Sequence, residues 1–257
     1  MNNHQPTVKM YDALAPYYRE YARKKAAYLN SVDRFVLDHI PDDAESLLDI
    51  GAGDGIRGMA LAAHKNINYT VLSDISPEMI ARCRELRPSD VWQAAMENLP
   101  YTDRRFDVII CLWNVLGHLD DRSNRVAALK EMRRLLSKQG SIFLDVNNRH
   151  NASAYGWLRV FGRIFLDALY PDDKRGDSSF DWEIGNESIP GMGHLFTPAE
   201  IEAIIKASGL SIQSKVAVDY HNGSQSALLL KGQLLYQLKT RREQQNELGP
   251  CLGKYLS

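Results

Sequence analysis

From residue 47 to residue 147, short apolar runs alternate with stretches whose apolar positions recur every three or four residues. The runs 47–50, 68–74, 91–94, 106–111 and 141–147 read as strands, and 56–64, 77–86 and 121–136 as the helices between them. Phe106, Val108, Ile109, Ile110 and Cys111 crowd one run, which fits a strand covered on both faces. This alternation predicts an α/β fold built on a doubly wound sheet. Thr197-Pro198-Ala199-Glu200 begins a further helix, with a hydroxyl cap and proline at the first position, and Gly209 stops it.

The flanks follow other patterns. In residues 8–40, Tyr11, Leu14, Tyr17, Tyr18, Tyr21 and Tyr28 are spaced near three and four, and Pro16 divides the stretch into two expected helical pieces. These rings either cover a hydrophobic face or close over a ligand. Tyr18 and Tyr21 are candidates for the second task, and Arg19 or Arg23 for pairing with a ligand carboxylate. Residues 152–169 are apolar and aromatic at helical spacing, with Tyr155, Trp157, Phe161 and Phe165. Residues 171–193 are polar and glycine-bearing, too long for an ordinary turn, and suggest a lid. The runs 211–220 and 227–232 read as a closing pair of strands, and 239–257 is a polar tail.

Leu47 to Gly58 runs from strand through glycine turn to helix. Gly51, Gly53 and Gly55 remove side chains that would hold a ligand off the backbone, and they permit positive φ. The N–H groups opening the next helix face the turn. Gly53 to Gly58 matches G-x-G-x-x-G, and Asp74 follows about 20 residues on, as a dinucleotide fingerprint requires. Two features oppose a dinucleotide. In that register the turn starts late, because the glycines begin at Gly51. Asp49 at the strand end also repels a diphosphate. A ligand with a positive centre, an amino-acid part and a ribose fits better, and S-adenosylmethionine (SAM) has all three. Asp74 is placed to accept both ribose hydroxyls, since Ser76 serves better as the cap of the next helix.

The chain has 257 residues, 44% hydrophobic and 25% charged, which supports a packed core. A net charge of −1 gives no basic footprint for nucleic acid. Cys83, Cys111 and Cys251 are isolated, which points to a reducing compartment and no disulfide framework, and no cluster has metal spacing. With no leader and no long apolar run, the expectation is a cytoplasmic monomer or homodimer without membrane contact.

Four segments, in this order and spacing, resemble class I SAM-dependent methyltransferases of the small-molecule type. They are Tyr11 to Tyr18, Asp49 to Gly55, Asp74-Ile75-Ser76-Pro77-Glu78-Met79, and Leu99-Pro100-Tyr101 followed by Phe106-Asp107-Val108-Ile109. The resemblance covers roughly residues 10–147 and the helix after Thr197. It implies a Rossmann-like seven-stranded sheet in a single SAM-binding domain spanning 1–257. An N-terminal helical cap at 8–40 and a lid insertion at 152–196 between strands 5 and 6 would complete it. It further implies that Asp49 orders the turn and helps hold the amino group of SAM. Ile75 and Met79 would flank the adenine, Met96, Glu97 and Asn98 would meet its edge, and Asn114 would pass under the sulfonium. Ala95 stands where an acid is common, so Glu97 is left to supply the adenine amino contact.

Methyl transfer from a sulfonium is an in-line displacement that asks mainly for positioning and exclusion of water. His118, Asn147 and His194 are the expected catalytic groups, with Asn148 and His150 beside them. A histidine accepts a proton near neutral pH, whereas an asparagine only orients. Tyr21, Trp157, Phe161 and Trp182, with Phe165 and Phe180, are expected to line a pocket for a small acceptor. Asp172, Asp173, Asp177, Asp181, Glu183 and Glu187 make the lid acidic, which favours an amine or is simply a solvated face. Three readings stand: methyl transfer to a small molecule, internal cyclisation of the aminobutyrate part of SAM with release of methylthioadenosine, and SAM binding without catalysis.

Overall fold

The computed structural model describes residues 4–170, 172–184 and 187–241, with the backbone alone for Glu183, Ile184 and Glu187. The tail beyond Arg241, with Cys251, lies outside the described residues, as do the side chains of Glu183 and Glu187. The chain opens with helices α1 (Gln5–Leu14), α2 (Tyr18–Lys24) and α3 (Ala26–His39). There are thus three helical pieces rather than two, because Pro16 sits in a 3-10 turn at Ala15–Tyr17 and a further break falls at Lys25.

Then β1 (Ser46–Ile50), α4 (Ile56–His64), β2 (Tyr69–Asp74), α5 (Pro77–Glu85), β3 (Asp90–Gln93), β4 (Phe106–Cys111), α6 (Arg122–Leu135) and β5 (Leu136–Val146) alternate as the pattern implied. Asp121 and Ser76 cap α6 and α5 through their side chains. The strand β5 starts directly where α6 ends, five residues before the expected Ser141. Leu136 supplies the reason: it is buried and pairs with Phe106 across a register shift, so Lys138-Gln139-Gly140 is drawn into the strand.

After β5 come α7 (Ala152–Tyr155) and α8 (Trp157–Leu169), separated at Gly156, whose φ is +81°. The stretch read as a polar loop is an antiparallel hairpin of β6 (Asp177–Ile184) and β7 (Glu187–His194). Phe180, Trp182 and Ile184 carry the strand period in the first strand, but Pro190, Gly191 and Gly193 hide it in the second. The chain ends with α9 (Pro198–Ala207), which starts in a full capping box of Thr197 and Glu200, then β8 (Leu210–Val218), β9 (Gln225–Ser226) and β10 (Gln233–Thr240).

The sheet order is β3-β2-β1-β4-β5-β10-β8-β9. The strands from β3 to β5 are parallel, and β10 is antiparallel to both of its neighbours. Seven strands carry the sheet, with the two-residue β9 added at its edge. The second closing strand is β10, not residues 227–232, which form a short 3-10 turn at Leu229–Lys231. Lying between β5 and β8, β10 needs apolar residues on both faces, and Leu234, Leu235, Tyr236 and Leu238 provide them. The turn before it closes tightly, since a Cβ on Gly232 would lie 2.4 Å from backbone atoms of Val218.

Helices cover both faces of the sheet. On one side Tyr28, Val32, Phe35 and Val36 of α3 join Leu61 of α4. On the other, Leu129 and Met132 of α6 join Ile201 and Ile204 of α9. Among the described residues no helix is long and apolar enough to cross a membrane.

Candidate functional site

The parallel strands end at one edge of the sheet, and their order reverses between β1 and β4. An open α/β sheet leaves a crevice at that point. Here it holds a cavity of about 340 Å³. Its floor is Gly51 and Gly53, Asp74 and Ile75 after β2, Met96 and Glu97 after β3, and Trp113 to Val115 after β4. Tyr11, Tyr18 and Tyr21 cover it from α1 and α2, and Phe180, Asp181 and Trp182 from β6.

The floor is bare main chain by necessity. Gly51 and Gly53 have φ of +70° and +57°. A Cβ on Gly51 would lie 2.3 Å from Val115 Cγ1, and one on Gly53 would lie 2.7 Å from the Tyr18 hydroxyl oxygen. Asp74 fixes this turn: Oδ2 accepts from the Gly53 N–H and Oδ1 from the Ser76 N–H, both at 2.9 Å. Burial still pushes its carboxyl up to about 6, because desolvation outweighs those donors.

Charge separates the possible ligands. Among the described residues no Lys or Arg lines the cavity, while Asp74, Glu97 and Asp181 do. Glu97 Oε2 is buried without a hydrogen-bond partner, and Oε1 pairs with His4 Nε2. These acceptors fit a cation bearing hydroxyls and an amine; they would repel a diphosphate.

Beyond β4 the backbone is strained. Trp113 and Asn114, neither of them glycine, have φ of +72° and +61°. Asp145, wholly buried in β5, accepts from both of their N–H groups and from the Tyr28 hydroxyl. Asn114 Oδ1 in turn accepts from the Asn147 N–H at 2.9 Å. The loop is thereby pinned under the cavity. Above it Tyr21 stacks between Trp113 and Trp182, with ring centroids 5.4 and 5.0 Å apart and both pairs 15° from parallel.

His118 lines the cavity as well. Its Nδ1 lies 3.0 Å from the Met192 carbonyl, which can only accept, so Nδ1 carries the ring proton. Nε2 then accepts from the Tyr11 hydroxyl at 2.8 Å. Burial pulls the imidazole down to about 4 despite that carbonyl, so the ring is neutral at physiological pH.

Of the residues singled out in the sequence, the cavity gathers Tyr18, Tyr21, Gly51, Gly53, Asp74, Ile75, Met96, Glu97, Asn114, His118, Asn147 and Trp182. The others lie elsewhere. Asp49 is one layer down, against Gly58, whose Cβ would stand 2.4 Å from Asp49 Oδ2. Burial raises its carboxyl to about 7, and Arg57 works against that rise. Gly55 caps α4 and packs on Leu72 and Cys83, and Met79 is wholly buried in α5. Arg23 and Asn98 are exposed. Trp157 and Phe161 face solvent on α8, 44% and 57% exposed, so the expected ring pocket is built from β6 and α2 instead. His194 is buried with both nitrogens occupied, Nδ1 by Asp177 at 2.7 Å and Nε2 by Glu200 at 2.8 Å; it clasps the hairpin to α9.

Residues 47–140 match the family model described as a methyltransferase domain. The ubiquinone biosynthesis O-methyltransferase of Azotobacter vinelandii is 28% identical over 191 residues, 73% of each chain. An uncharacterized protein of Methanocaldococcus jannaschii is 31% identical over 204 residues, 79% of this chain and 75% of its own. A SAM-bound amino pentose methyltransferase from Micromonospora echinaspora superposes with a TM-score of 0.59 at 19% identity, covering 87% of this chain and 96% of its own. The chain belongs to the class I SAM-dependent methyltransferases. The cavity, lined by acids and by no Lys or Arg among the described residues, has the sign that a sulfonium cofactor needs. Relatives also include a probable tRNA methyltransferase 9B of Bos taurus, 28% identical over 146 residues, 55% of this chain and 30% of its own.

Some parts of the methyltransferase's site were not singled out in the sequence. Trp113 and Asp145 meet only through a left-handed turn that no local signal marks. His4, before the expected first helix, reaches Glu97 across the fold. Tyr11 stood among the patterned tyrosines, but its partner His118 lies 107 residues away.

Proposed function

We propose that this methyltransferase transfers the SAM methyl group to a small molecule enclosed by the tyrosines of α1 and α2 and by the β6 hairpin. The observation that carries this is the roof: Tyr11, Tyr21, Phe180 and Trp182 close over a space of about 340 Å³, a volume suited to a cofactor part and a small acceptor. A polynucleotide acceptor would bring phosphates toward Glu97 and Asp181, with no Lys or Arg among the described residues lining the cavity to meet them. This separates the reading from that of the tRNA-modifying relatives.

SAM, when bound, supplies a methyl group on a positive sulfur that is open to in-line attack. The residues placed to hold it are Gly51 and Gly53 through bare backbone, and Asp74 through its carboxylate toward the ribose. Ile75 and Met96 would flank the base, and the unpaired oxygen of Glu97 would accept from an amine. Asn114, whose N–H is held by Asp145, lines the same floor and would help orient the cofactor. The stacked rings of Tyr21, Trp113 and Trp182 exclude water and orient a flat or apolar acceptor. His118 is too weak a base to strip a proton before attack. With Nε2 accepting from the Tyr11 hydroxyl, it turns the Tyr11 oxygen toward the cavity to accept from an acceptor O–H or N–H, and the attacking O, N or C atom brings its own electron pair.

The test is incubation with SAM, with and without a panel of small phenols, amines and sugars, followed by chromatography of the nucleoside products. S-adenosylhomocysteine that forms only with an acceptor supports methyl transfer. Methylthioadenosine forming from SAM alone would transfer the assignment to internal cyclisation, and turnover on tRNA but on no small molecule would refute the small-acceptor reading.

A further inference from the structure

Helix α8 takes no part in the cavity, yet it carries six of the exposed large apolar side chains among the described residues. Trp157, Leu158, Phe161, Phe165, Leu166 and Leu169 form one stripe along it, with Tyr170 just beyond. Leu158 is 90% exposed and Phe165 65%. Val160 is its one buried residue. The other side is polar and bolts the helix to the body. Asp167 meets Arg149 at 3.0 Å, His150 at 2.9 Å and Arg175 at 3.1 Å, and Arg163 donates to the Arg149 carbonyl at 3.0 Å. A contiguous face of six such side chains exceeds the few hundred Å² that a monomer ordinarily leaves exposed in one patch.

We propose that this face docks on a lipid surface, with α8 lying in the plane of the headgroups and its rings at the acyl boundary. Two observations favour lipid over a protein partner. Between Trp157 and Tyr170 there is no Ser, Thr, Asn or Gln to orient a partner by hydrogen bonding. The one acid of the helix, Asp167, is already taken up by Arg149, His150 and Arg175, while Arg159 of the same helix is exposed. That local sign attracts anionic headgroups. At 13 residues the helix is about 20 Å long, too short to span a bilayer but suited to lying in its surface. The expectation of no membrane contact rested on the absence of a spanning run; an in-plane helix is marked by one-sidedness instead of length.

The full-length protein is floated with vesicles of phosphatidylcholine, with and without phosphatidylglycerol. The proposal requires flotation that is stronger with phosphatidylglycerol and a fall on the order of tenfold in the L158E/F165E variant. The variant's calorimetric affinity for S-adenosylhomocysteine should match the unsubstituted chain, which shows that the fold is intact. Absence of flotation at both compositions overturns the proposal. So does a dimer, seen by light scattering, that the same variant converts to monomer, for that would assign the face to a second copy.

Discussion

Replacing Asp145 by alanine tests whether the strained loop beneath the cavity is held by one buried carboxylate. Alanine leaves the N–H groups of Trp113 and Asn114 and the Tyr28 hydroxyl without their acceptor. Tyr28 and Asp145 are both wholly or almost wholly buried, so water cannot take over freely. A buried donor left unpaired costs about 1–3 kcal/mol. Three such groups would sum to more, but the loop can also leave its left-handed conformation and recover about 1–3 kcal/mol per strained residue. The net expectation is a loss of roughly 2–4 kcal/mol, or about 5–15 °C in melting temperature for a chain of this size. Asparagine behaves differently. Its oxygen still accepts from the two N–H groups, and its NH₂ can donate to the Tyr28 oxygen. Burial already raises the Asp145 carboxyl's pKa, so removing the charge costs little. Asp145→Asn is therefore expected within about 1 kcal/mol of the unsubstituted protein. Urea unfolding gives the stabilities, and calorimetry with S-adenosylhomocysteine shows whether Asn114 has moved. Equal losses for the two variants would refute the argument, since charge and not hydrogen-bond geometry would then be the loop's support.

Gly51→Ala places a Cβ 2.3 Å from Val115 at φ +70°, so SAM affinity should fall about tenfold or more, and Val115→Ala in the same chain should restore part of it. If Gly51→Ala binds normally, the bare turn is not a contact surface. Asp74, with its carboxyl near 6, should make SAM affinity rise about tenfold between pH 5 and 7 as the carboxylate forms, and Asp74→Asn should flatten that profile in calorimetric titrations. For stability the sign is opposite. The folded state holds Asp49 and Asp74 protonated above their unfolded range, so their contribution is greatest below about pH 4 and is lost as pH rises to about 7. Melting of the ligand-free protein across that range checks it, and the Asp49→Asn variant should show a shallower slope. His194→Ala should lower the melting temperature by breaking the clasp to Asp177 and Glu200 while leaving S-adenosylhomocysteine affinity intact; a selective loss of turnover in folded protein would refute that assignment.

The glycine-turn half of the cavity was legible because its chemistry is local. A strand, three glycines and an acid at the next strand's end are adjacent in sequence, and each constrains the backbone directly. The register of β1 beside β2 and β4 then brings them together without further information. The aromatic half was not legible, because it is made of contacts across long separations. Trp182 meets Tyr21 only after the hairpin folds over α2; Phe180-Asp181-Trp182-Glu183-Ile184 alternates as a strand does, but only over five residues, and its partner 187–194, with Pro190 and two glycines, does not. The same limit misplaced Trp157 and Phe161: periodicity revealed the helix and its apolar face but not the direction that face would point. In the closing strands, 227–232 and 233–240 are both apolar, and only the need for a strand buried between β5 and β8 chooses the second.

Asp49, Asp74 and Asp145 lie at or near the carboxyl ends of β1, β2 and β5, all buried and all with carboxyl pKa values pushed upward, with Arg57 opposing the rise at Asp49 and Asp145. As a device for stability this arrangement is poor, since each acid resists ionising in the apolar layer beneath the cavity. It makes sense as a device for a ligand. A sulfonium and an ammonium brought to that edge supply the positive charge the acids lack, so the ligand-free fold holds electrostatic strain that the cofactor relieves. Clustered acids at parallel strand ends, with a bare glycine turn above them and no Lys or Arg among the described lining residues, thus specify the sign of the ligand before they specify its shape.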